Sequence, residues 1–173
     1  GCATRPGMTQ TTILQRALGV ECCNLGVSGE GKIWKENAEL LANTEDVICY
    51  VIDPVMNCTY GMIDTMTVDF IMTLRRAHPA AAIVMVEGLH FPHAEFDYKE
   101  QQFVPIHNKA YYRNYLTLKK AGVKDLYYVK DHGFTGKNAE GTVDGIHLSD
   151  IGFQQYADQL QPLLRKLVRK YSK

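Results

Sequence analysis

Hydrophobic and polar positions along this chain follow two periods in turn. Short, nearly continuous apolar runs at 20–25, 47–52, 82–86 and 126–129 read as strands buried on both faces of a parallel sheet. Between them the apolar residues recur at helical spacing. The first such stretch, 8–18, carries Ile13, Leu14, Ala17 and Leu18 and stops at Gly19. The next, 35–42, carries Ala38, Leu41 and Ala42. The third, 65–77, carries Val68, Ile71, Met72 and Leu74 and stops before His78-Pro79, and the fourth, 106–121, carries Ala110, Tyr111, Tyr115 and Leu118 and ends at Gly122. A last helix begins near Ser149, a suitable N-cap, and runs through Phe153, Tyr156 and Leu160 until Pro162 disturbs it. Strands alternating with helices predict an α/β domain, a parallel sheet covered by helices on both faces. With no linker or repeat visible, residues 1–173 form one domain. In such folds chemistry gathers in the loops beyond the carboxyl ends of the strands, which here begin near Asn24, Asp53, Glu87 and Lys130.

Composition narrows the function. Of 173 residues 46% are apolar, and 19 basic side chains balance 19 acidic ones, so no field exists for gripping nucleic acid or an anionic membrane. No apolar run reaches the roughly 18 residues that would span a bilayer, so no transmembrane segment is expected. The opening residues have no basic start and no apolar core of a leader. The compartment therefore stays open, secreted and periplasmic included, and the oligomeric state is not encoded. The five cysteines show no C-x-x-C spacing. Arg165, Lys166, Arg169, Lys170 and Lys173 cluster at a helix C-terminus, where cations complement the macrodipole.

Three loops carry candidate chemistry. Asn24-Leu25-Gly26-Val27-Ser28-Gly29-Glu30-Gly31 is a glycine-rich turn after an apolar run, able to present backbone N–H groups to an oxyanion. It lacks the P-loop lysine, and Glu30 breaks a G-x-S-x-G pattern. Asn57, just past the run at 47–52, can aim its amide at a developing negative charge. Asp144-Gly145-Ile146-His147 sets a carboxylate three residues before an imidazole, a spacing that can fix the ring's tautomer and leave the other nitrogen as base. Each alone is common.

Together with the opening Gly1-Cys2-Ala3-Thr4-Arg5-Pro6-Gly7, these pieces in this order resemble the SGNH (GDSL-like) hydrolases from Gly1 to about Leu164. The resemblance implies a three-layer α/β/α sandwich with a flavodoxin-like parallel sheet and a serine esterase activity on small-molecule esters, of carbohydrates or small acyl groups, with no cofactor. It implies Gly29 and Asn57 as oxyanion donors, Asp144 and His147 as members of a Ser-His-Asp triad, and a lead from Leu148 into the last helix. The family's nucleophile lies a few residues upstream of the position of Gly1, and none of Ser28, Ser149 or Ser172 aligns with it. The family's first strand, which lies between its second and third in the sheet, precedes that serine too. The expectation is therefore the C-terminal part of a longer chain, without its first strand and nucleophile. The alternative is a non-catalytic binding domain that keeps the pocket without the nucleophile.

Other candidates weigh less. Glu87, His90, His93, Glu95 and Asp97 share one loop but lack the geometry of a zinc motif, so no metal is assigned. The resemblance puts this loop, His90 included, at the substrate rim; Trp34 reads first as core packing, with stacking on a substrate at the pocket mouth as the competing reading. His132 reads as a solvated loop residue, and Tyr111, Tyr112 and Tyr115 as helix-to-sheet packing.

Overall fold

Three strands, β1 (Cys49–Ile52), β2 (Ala82–Val86) and β3 (Leu126–Val129), pair in parallel in that order in a computed structural model of the chain. It describes residues 1–136, 138 and 140–171, Glu100 by its backbone alone. Lys173 of the basic cluster, and Ser172, lie outside the described residues. In the register, Tyr50 faces Ile83 and Val84 faces Tyr127. All five residues of β2 are buried, as expected for a central strand covered on both faces.

The alternation along β2 divides the core into two layers. Ile83 and Met85 join Tyr50, Ile52 and Leu126 beneath three helices, α2 (Lys35–Ala42), α3 (Tyr60–Ala77) and α4 (Tyr98–Lys120). Ala82, Val84 and Val86 face the opposite way, onto α1 (Gln10–Leu18) and α5 (Asp150–Tyr171). This is the predicted three-layer α/β/α arrangement.

The run at 20–25 departs from expectation, because it forms no strand. A strand draws its order from ladder bonds to a neighbour, and the described residues offer this segment none. Four of its six residues are exposed. The outer edge of β1 is likewise unpaired among the described residues, with Val51 41% exposed.

Two helices run further than expected, each through a proline. Helix α5 continues through Pro162 to Tyr171, and α4 starts at Tyr98 and passes through Pro105. An internal proline costs about 3 kcal/mol and strips one carbonyl of its partner. Here both prolines, and Asp158 and Gln101 four residues before them, lie on exposed faces, so water can satisfy the freed carbonyls. The buried stripe Leu160, Leu164, Leu167 holds α5 across the interruption. Ser149 is its N-cap, its Oγ accepting from Gly152 N–H at 3.4 Å. Two of the basic residues at its end have structural partners: Arg165 donates to Ala17 O and Lys170 to Asp125.

Candidate active site

The last loop before α5 organises itself locally. Asp144 Oδ1 accepts the backbone N–H groups of Ile146 (2.9 Å) and His147 (2.7 Å), and His147 Nδ1–H donates to Asp144 Oδ2 at 2.7 Å. These donors, the His147 backbone first and then its imidazole, hold the Asp144 carboxyl well below the usual carboxylate range. Gly145 at φ +87° supplies the left-handed step that closes this turn. Both side chains are half exposed, and His147 Nε2 has no partner among the described residues. The pair can therefore hold an imidazole in one tautomer with its basic nitrogen presented outward.

The loop is also fixed from the start of the chain. Cys2 N–H donates to Leu148 O at 2.8 Å, and Thr4 grips Asp150 with both its N–H and its hydroxyl. Gly1 lies so close to the Phe153 ring that a Cβ there would collide with it. The first residues thus run directly beside His147.

Asn57 and the glycine turn come from separate loops and meet. Asn57 ends a 3-10 turn, Val55–Asn57, beyond β1, and its amide nitrogen lies 3.4 Å from where a Cβ on Gly31 would stand. Gly29, at φ +71°, is in the turn closed by Glu30 N–H donating to Val27 O. Neither the Gly29 N–H nor the Asn57 amide has an acceptor among the described residues, and both residues are exposed. Free donors of this kind are what an oxyanion site requires.

Asp53, at the carboxyl end of β1, was not singled out from the sequence. It accepts from the Tyr156 hydroxyl at 2.7 Å. Protein crowds around this carboxyl, and although one face stays open to solvent, burial pushes it up to about 6. Tyr156 opposes that shift and nearby Asp131 adds to it. The signal available in the sequence was position alone, a carboxylate directly beyond a strand end.

The rim loop after β2 is held by three unlike contacts. Asn108 binds both N–H and O of Gly88, Asp131 accepts the His90 N–H at 2.7 Å, and His93 Nδ1 lies 3.2 Å from Gly145 O. The His90 side chain is exposed. Trp34 is 40% exposed at the start of α2, so the core-packing reading gives way to a surface position beside the glycine turn. His132 is exposed and Tyr111 is fully buried, donating to Ile52 O. No trio of metal-ligating side chains converges among the described residues.

The comparisons with known proteins agree with this architecture. The chain belongs to the GDSL-like lipase/acylhydrolase family, whose profile matches residues 1–165. Among solved structures it is similar to a Bacteroides ovatus protein classed as a GDSL-like lipase, with 38% identity and a TM-score of 0.92. That alignment covers 96% of this chain and 49% of the Bacteroides protein. The salicylyl-acyltransferase SsfX3 of a tetracycline biosynthetic pathway aligns with a TM-score of 0.78 at 18% identity, over 95% of this chain and 50% of its own. The Clostridium thermocellum family 3 carbohydrate esterase aligns with a TM-score of 0.61 at 18% identity, over 95% and 87%. At 18% identity these last two show a shared fold. The chain spans about half the length of the Bacteroides protein and the acyltransferase. No curated protein matches it.

Proposed function

We propose that this domain carries most of the catalytic apparatus of a serine ester hydrolase whose nucleophile lies on a segment upstream of Gly1. The observation that carries the reading is the 2.7 Å bond between His147 Nδ1 and Asp144, with the chain's first residues bonded at the adjacent Leu148. A serine a few residues before Gly1 would enter the site beside the outward nitrogen of His147. The same upstream segment would supply a strand between 20–25 and β1, completing both unpaired edges.

In this mechanism His147 Nε2 takes the proton as the serine oxygen attacks the ester carbonyl, while Asp144 steadies the imidazolium that forms. The Gly29 N–H and the Asn57 amide receive the negative charge on the carbonyl oxygen. His147 then returns the proton to the departing alcohol, and water releases the acyl group by the reverse path. Trp34 and His90, both exposed, border the substrate, which we place among small acyl or carbohydrate esters. Treatment of the full-length protein with a fluorophosphonate tests the assignment. The expected result is one label, on a serine upstream of Gly1, lost in His147→Ala. A protein that takes no label would instead be a binding domain.

A further inference from the structure

We infer that His93 is a positioning residue for the Asp144–His147 pair, holding the crown of their turn through Gly145. The inference rests on the esterase reading for its catalytic consequence and on geometry alone for the anchor.

The tip of this turn, 143–147, is closed almost entirely by bonds to itself: Val143 N–H to His147 O, and the three bonds that Asp144 receives. The contacts from Cys2 and Thr4 reach residues beyond it, Leu148 and Asp150. Among the described residues, a single hydrogen bond ties the tip to another part of the protein, that between His93 Nδ1 and Gly145 O at 3.2 Å. A carbonyl only accepts, so Nδ1 carries the proton and donates. Contact is close as well, since a Cβ on Gly145 would stand 2.6 Å from that nitrogen.

His93 is in turn held firmly. Its ring stacks on buried Phe91, with centroids 5.3 Å apart and planes 20° apart, and Phe91 stacks on Phe103 of α4. The backbone beneath is fixed where Asp131 accepts the His90 N–H and Asn108 clasps Gly88. A chain of contacts thus runs from the loop after β3 and from α4 through the rim loop to an otherwise self-supported turn. Without the donor, the Asp144–His147 pair would keep its internal bonds and lose its fixed place relative to Asn57 and Gly29. Misplacement of a catalytic group by about 1 Å can cost on the order of 100-fold in rate.

Two substitutions in the full-length protein separate the donor from the stack. His93→Phe keeps a ring on Phe91 and removes the donor, whereas His93→Asn removes the ring and places its side-chain N–H at the position of Nδ1. The expected result is a kcat for ester hydrolysis lowered roughly tenfold to a hundredfold in His93→Phe at nearly unchanged KM, and largely restored in His93→Asn. Amide hydrogen exchange at Ile146 and His147 is expected to speed up in His93→Phe alone. Unchanged exchange and kcat in His93→Phe, or an equal loss in both variants, would overturn the inference. If the unmodified protein hydrolyses no ester, the functional reading fails, and the exchange measurement still decides whether His93 anchors the turn.

Discussion

The two sides of the candidate site are built in opposite ways. Asp144 and His147 stand three residues apart, and one turn of backbone brings them to 2.7 Å. Gly29 and Asn57 are 28 positions apart in the sequence, on loops whose meeting depends on β1 and on the packing of the segment that follows the glycine turn. The first side is a local motif that needs placing, and the second exists only once the fold does. The difference teaches that damage to tertiary packing should harm the proposed oxyanion side first and the proposed acid–base side through position rather than through loss of its internal bond.

The largest expected effect strikes the local side. In the full-length protein His147→Ala should lower kcat for a short p-nitrophenyl ester by about 10⁴-fold or more, with an unchanged melting temperature, because this half-exposed side chain is hydrogen-bonded to Asp144 alone. Turnover near that of the unmodified protein would remove His147 as the base. On the assembled side, Asn57→Ala should reduce kcat by about 10²- to 10³-fold with little change in KM. A change confined to KM would place Asn57 in substrate binding instead.

The packing that places the local motif can be broken without touching it. A Cβ at Gly152 would collide with Gly141 O, so Gly152→Ala must push the start of α5 away from the loop that carries His147. It should lower stability by about 2–3 kcal/mol, seen as a lower urea midpoint, and weaken hydrolysis in proportion to the displaced loop. An unchanged midpoint would show that the loop gives way freely.

The smallest effect is a pH dependence at Asp53. Its carboxyl sits at about 6 in the folded protein against an ordinary 3.8, so the folded state holds that proton more tightly than the unfolded state. The stabilisation is therefore fully present below about pH 4 and lost as pH rises through about 6. Asp53→Asn should lie near the unmodified protein in stability at pH 4 and exceed it at pH 7, by no more than about 1 kcal/mol because solvent screens the open face. Equal stability differences at both pH values, measured by urea unfolding, would contradict the shift.

How much of this was legible in the sequence follows from the range of the interactions. The run at 82–86 declared itself because it is buried throughout, the run at 126–129 because it is apolar and lies beside it in the sheet, and the Gly19 and Gly122 stops because left-handed backbone favours glycine. Pro162 misled, since a proline's cost depends on whether the carbonyl it strands faces water, and that depends on which face of α5 is exposed. The run at 20–25 has strand composition and no strand neighbour among the described residues. Trp34 has the composition of a core residue and lies at the surface. His93 could not be separated from the other acidic and imidazole residues of its loop by spacing, because its partner, Gly145 O, is a backbone atom 52 positions away.

The sequence by itself determined the α/β alternation, the glycine turn and the Asp144–His147 turn, all governed by contacts within a few residues. Only the tertiary structure decided that Asn57 lies against Gly31, that Asp53 meets Tyr156 across 103 positions, and that the rim loop reaches the turn through His93. Those pairings depend on how two layers of helices close over one sheet, and chain neighbours carry no record of them.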